Sequence, residues 1–198
     1  PVQRILEMAR RVRRELGNDV GIGPPDMQTG FDTACILWDK TSLFEAMVEE
    51  PEAVEGLANK CATFLESFID LTYREFPDAA LAHCPTTWVP RGLGPWVSND
   101  ECGGMSNAAF ERFCLPELIR LSDRFGGLGM HCCADAPHQF PLFKKIPNFY
   151  AFNRVPSIQL RGGWKEDKAL AILGGAEGPT WVPGWCTPET VAWFLEHA

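Results

Sequence analysis

Gly126-Gly127-Leu128-Gly129-Met130-His131-Cys132-Cys133-Ala134-Asp135 sets a short apolar run against side chains able to bind protons or metals. Glycines open the run Leu128-Gly129-Met130 and polar residues close it, which suits a short buried strand. In α/β folds, residues just past the carboxyl end of a strand line the edge where ligands bind. Side chains alternate along an extended backbone, so His131 and Cys133 share one face while Cys132 takes the other. An imidazole and a thiolate so placed can share a soft or borderline metal such as zinc. Zinc normally takes three or four protein ligands, so the pair alone is incomplete. Cys132 read by itself is a small hydrophobe for the core.

Upstream of this strand, Ser106 can cap a helix whose buried face is Phe110, Phe113, Cys114, Leu118, Leu121 and Phe125, kinked midway by Pro116. Before it, Pro95-Trp96-Val97-Ser98 reads as a strand running into the polar turn Asn99-Asp100-Glu101-Cys102-Gly103-Gly104. Asn99 and Asp100 are hydrogen-bonding or acid candidates there, with turn capping the equal alternative. Farther back, Val54, Leu57, Ala58, Cys61, Leu65, Phe68 and Leu71 form one stripe of a long helix over 51–75, with Pro51 in its first turn. Residues 42–48 read as a helical turn or two, and 31–37 as a short apolar segment. Asp19 to Gly23 reads as a short strand, and Pro24 to Gly30 as a loop too rich in proline and glycine for helix or ladder. Asp26 and Gln28 in that loop are candidate ligand contacts. The first helix covers 2–16, ends at Gly17, and carries its arginines on a solvated face.

Downstream, a helical stretch over 136–145 leads to a strand at 148–153. A further strand follows at 169–175, then a helix from Pro188 capped by Thr187. Asn153 at a strand end joins Asp26, Gln28 and Asn99 as a candidate substrate contact, and Asp100 and Asp135 are the candidate catalytic acids. Either Asp135 or Asn153 is placed to hold the second ring nitrogen of His131. Repeated strand-helix units with chemistry at strand ends predict an α/β fold, an incomplete segment of a (β/α)8 barrel forming one domain over 1–198. Neither GxGxxG after a strand nor GxxxxGK[ST] occurs, so nucleotide-binding doubly wound folds lose ground.

The chain has 198 residues, 45% hydrophobic and 22% charged, enough for a substantial core. A formal charge of -8 argues against nucleic acid and anionic membrane as partners. No apolar run approaches the about 20 residues of a membrane helix. Eight cysteines spread over a domain of this size suit a reducing cytoplasm better than a secreted disulfide scaffold. A small-molecule substrate and a homodimer are the expected partners. Both ends read as interior to a longer protein, since Pro1 precedes an immediate helix and Leu195-Glu196-His197-Ala198 carries no cap.

The chain resembles the uroporphyrinogen decarboxylase superfamily, which includes cobalamin-dependent methyltransferases. The resemblance lies in the segment through Gly23-Pro24, Glu50-Pro51-Glu52-Ala53-Val54, the Met105-Ser106 to Pro116 helix, Gly129 to Cys133, and Leu173-Gly174-Gly175 followed by Cys186-Thr187-Pro188-Glu189. It implies a (β/α)8 barrel. His131 and Cys133 match the zinc motif of the methyltransferase branch, where zinc activates a thiol for methyl transfer from a corrinoid, carried on a corrinoid protein as partner. That branch supplies a further cysteine from its last strand, and Cys186 is the candidate for that ligand within this chain. The decarboxylase branch, which works without metal, is the alternative enzyme reading. A catalytically silent ligand-binding barrel is the third.

Overall fold

Four parallel strands form one sheet in chain order: β1 (Trp96–Ser98), β2 (Leu128–Cys132), β3 (Phe149–Arg154) and β4 (Thr180–Pro183). The computed structural model describes residues 1–83, 89–134 and 136–154, the backbone of 180–183, and Ala192. A fifth extended segment lies parallel to β1 on its outer side: Ser98 N–H donates to the Met27 carbonyl and Thr29 N–H to the Ser98 carbonyl, both at 2.9 Å. Strands β1, β2 and β3, parallel in sequence and joined through helices, have the arrangement of an α/β segment.

The register sorts side chains by face. Val97, Met130 and Phe152 stand in one row across β1, β2 and β3 and enter the main core. They pack there with α7 (Phe140–Phe143), whose Phe140 ring meets that of Phe152 edge-on at 5.6 Å. The opposite face carries two layers. Trp96, Gly129 and Ala151 form the lower one, and a Cβ on Gly129 would come 2.2 Å from the Trp96 ring, so only glycine lets that indole lie across β2. Ser98, His131 and Asn153 form the upper one, toward the carboxyl ends of the strands.

Helices cover the other face of this sheet. The first two long helices have the bounds that periodicity predicts: α1 (Val2–Leu16) and α4 (Pro51–Glu75). Between them lie α2 (Gly30–Leu37) and α3 (Lys40–Glu49). Helix α1 buries only Leu6, against Ile22 and Phe76. Its Arg10 and Arg13 are not simply solvated, because they pair with Glu75 at the end of α4 and with Asp78 just beyond it, Arg13 to Asp78 at 2.6 Å.

Several expectations are corrected. Residues 19–23 form no strand. Gly21 and Gly23 weaken an extended ladder, having no side chain to pack, and Ile22 is anchored singly, its carbonyl accepting from Ala80 N–H at 2.8 Å. The pairing instead falls at 27–29, inside the stretch read as loop, and the apolar segment 31–37 is helix α2, capped by Thr29. The single kinked helix after Ser106 is two, α5 (Asn107–Phe113) and α6 (Leu115–Phe125). Proline is welcome in a first turn, so Pro116 starts α6 rather than bending one helix. Of 136–145 only α7 is helix, the flanks being turns. The expected strand at 169–175 and the helix from Pro188 lie outside the described residues.

Candidate metal centre

Strand β2 ends by turning His131 inward and leaving Cys133 exposed at its rim. His131 is 2% exposed, and its Nδ1 sits 2.6 Å from Asn153 Oδ1 on β3, the strand position directly across. With an amide oxygen facing Nδ1, that nitrogen carries the proton and Nε2 presents its lone pair outward. Nε2 lies 2.9 Å from Cys133 Sγ and 3.7 Å from Asp100 Oδ1. One ligand atom each from Asp100, His131 and Cys133 falls within 4.8 Å of the others. A tetrahedral zinc with bonds of about 2.0–2.3 Å holds its ligand atoms roughly 3.3–3.8 Å apart, so small side-chain adjustments bring these three onto one ion.

Asp100 reaches the cluster from the turn after β1. It does not cap that turn, the 3-10 helix Glu101–Gly104. Its Oδ1 instead accepts the Cys133 N–H at 2.6 Å, tying the end of β1 to the end of β2. The turn is fastened from below by Asp32 of α2, which is 1% exposed and accepts from Asp100 N–H at 2.5 Å and from Glu101 N–H at 3.2 Å. Burial pushes the Asp32 carboxyl up, while the N–H donated to each of its two oxygens favours the ionised form.

Asp26 stands beside this cluster on the neighbouring segment, more than half exposed. It accepts from Ser98 Oγ at 2.7 Å and from Gln28 Nε2 at 2.8 Å, and faces His83 Nδ1 at 3.2 Å. His83 is otherwise buried, its Nε2 3.0 Å from the Trp96 carbonyl, and desolvation holds its pKa below the ordinary value despite Asp26. Asn99 turns inward rather than into the mouth. It is fully buried, its N–H bonded to the His131 carbonyl and its Oδ1 3.5 Å from Thr29 Oγ1. The structure therefore gathers Asp26, Gln28, Asp100, His131, Cys133 and Asn153 at one edge of the sheet, with Asn99 just beneath. Asp135 and Cys186 lie outside the described residues.

Cys132 points to the helical side, its Sγ 3.7 Å from Cys102 Sγ in the core. Their contact and their burial push the Cys102 thiol well above its usual range, which keeps it protonated and inert. Cys61 and Cys114 are likewise buried free thiols.

Sequence reasoning missed Asp32 and His83. A signal for Asp32 was present: Thr29-Gly30-Phe31-Asp32 has the spacing of a capping box. Thr29 does accept the Asp32 N–H, at 3.3 Å, but the carboxylate leaves its own helix for the turn after β1. His83 offered no local pattern, because its partners come from residues far along the chain.

No family model and no curated protein matches the chain. A solved structure of a methyltransferase from Methanosarcina mazei is similar in fold, with TM-score 0.57 and 16% sequence identity over 97% of this chain. The chain spans 63% of the length of that protein. No helix among the described residues is long and apolar enough to cross a membrane.

Proposed function

We propose that the chain is a segment of a (β/α)8-barrel enzyme of the uroporphyrinogen decarboxylase superfamily, acting in zinc-dependent methyl transfer between a corrinoid and a thiol in the cytoplasm. The observation that carries the reading is the imidazole, thiol and carboxylate gathered at the carboxyl ends of parallel strands. The fold likeness to a methyltransferase supports the reaction class. A bound zinc would lower the pKa of an incoming thiol and hold its thiolate toward the methyl donor.

The chain's own residues divide the work by position. His131 and Cys133 hold the metal, with Asp100 as the oxygen ligand, and Asn153 fixes the imidazole tautomer. Asp26, exposed, and Gln28, half-buried, on the adjacent segment offer acceptor and donor groups to the polar part of a small substrate. Trp96, fully buried one layer beneath His131, packs against Tyr150 at 6.4 Å between ring centroids.

Elemental analysis tests the assignment. Near-stoichiometric zinc is expected in the purified wild type, its loss in Cys133→Ser and its retention in Cys132→Ser. Equal zinc in wild type and Cys133→Ser would overturn the reading. Turnover of a porphyrinogen by metal-free protein would replace it with decarboxylation.

A further inference from the structure

We propose that Asp32 is a positioning residue for the metal centre, acting through the peptide groups of Asp100 and Glu101 and not by touching metal or substrate. The inference rests on the metal-centre reading given above. Asp32 is 1% exposed, and both of its carboxylate oxygens are used, one on each of two consecutive backbone N–H groups. Burying a carboxylate is costly, and helix α2 does not need this one, since Thr29 already supplies its cap. What it secures is the turn that presents Asp100. The backbone is held from the α2 side, and the Asp100 side chain is left to swing toward β2 and accept the Cys133 N–H at 2.6 Å.

The bidentate grip makes the residue type specific. Two adjacent N–H donors need two acceptors, which a carboxylate provides and an amide does not, because the NH2 of asparagine would face a donor. Asp32→Asn therefore keeps the shape of the side chain and frees one peptide of the turn. Glu117, a second buried acid among the described residues, supplies a comparison: it is 5% exposed and accepts Gly30 N–H, of α2 itself and not of the turn, at 2.6 Å.

The experiment titrates the purified protein with Co(II), following the thiolate-to-cobalt absorption band, in wild type, Asp32→Asn, Asp100→Ala, the double variant and Glu117→Ala. Asp32→Asn is expected to keep the band and weaken Co(II) binding by about 10–100-fold, the range for residues that orient ligands. In the Asp100→Ala background it should have no further effect, because its route through Asp100 is already cut. Glu117→Ala should lower the melting temperature and leave Co(II) affinity unchanged, which separates positioning from general stability. Wild-type affinity in Asp32→Asn, or a full additional loss in the double variant, overturns the proposal.

Should the wild type bind no Co(II), or bind it undiminished in Cys133→Ser, it is the metal reading that fails. Amide exchange in the metal-free protein then decides for Asp32: faster exchange at Glu101 and Cys133 in Asp32→Asn supports the grip, and unchanged exchange refutes it. If Asp32→Asn does not fold, Asp32→Glu, which keeps both oxygens but shifts them by one methylene, is put through the same two measurements with the same expected directions.

Discussion

Glu117 shows how one buried side chain makes stability depend on pH. It caps α2 from across the helical layer, and burial pushes its carboxyl from 4.5 up to about 7, opposed by the Gly30 N–H. The folded protein thus holds a proton that the unfolded chain releases between those values. The contribution is fully present below pH about 4.5 and is lost as pH rises through about 7. Glu117→Gln keeps an acceptor for Gly30 and removes the titration. Relative to that variant, the wild type should lose on the order of 2 kcal/mol between pH 4.5 and 7.5 in denaturant titrations. A difference that stays constant across the range would contradict the assignment.

At the scale of elements, the backbone of α2 approaches that of α4 closely. A Cβ on Gly30 would meet the Ala58 carbonyl at 2.5 Å and the Ala62 nitrogen at 2.6 Å, neither of which can yield without moving α4. Gly30→Ala should cost about 1–3 kcal/mol or more in thermal unfolding. Gly56 lies inside α4 with open space around it, so Gly56→Ala should stabilise by up to about 1 kcal/mol. Equal effects at the two glycines would show that α2 does not dock as described. Helices α1 and α4 were legible in the sequence because each carries its own period and its own end signals over many residues. Helix α2 was not, since it is short, buries Asp32 and exposes the apolar Ile36 and Leu37, and so shows no amphipathic pattern. The pairing at Gln28 was hidden too, because its partner strand lies about seventy residues away and proline and glycine nearby read as loop. In the site, His131, Cys133 and Asn153 were legible from alternation and strand ends. The Asp32 grip was not, being a contact between a helix and a distant turn.

At the scale of the whole molecule, the cysteines among the described residues separate into two kinds. Cys35, Cys61, Cys102, Cys114 and Cys132 are buried, and Cys133 is exposed. Burial pushes the Cys35 thiol up to about 12 and that of Cys114 well above its usual range, so neither offers thiolate at neutral pH. Brief alkylation of the native, chelator-treated protein, read by peptide mass spectrometry, should label Cys133 well before these five. Zinc should then slow that labelling. Early modification of Cys132 would mean that the end of β2 faces the other way.

The row Ser98, His131, Asn153 is set by strand register alone, and this governs how such a site can change over generations. Any of its positions can be exchanged for another polar residue while the ladder and the helical face stay as they are. Loss or gain of a single codon within β2 has a different effect. It would hand the mouth to Cys132 and send Cys133 into the core, exchanging the whole face at once. Descent with varied chemistry is therefore open to this edge by substitution, and closed to it by insertion or deletion inside the strands.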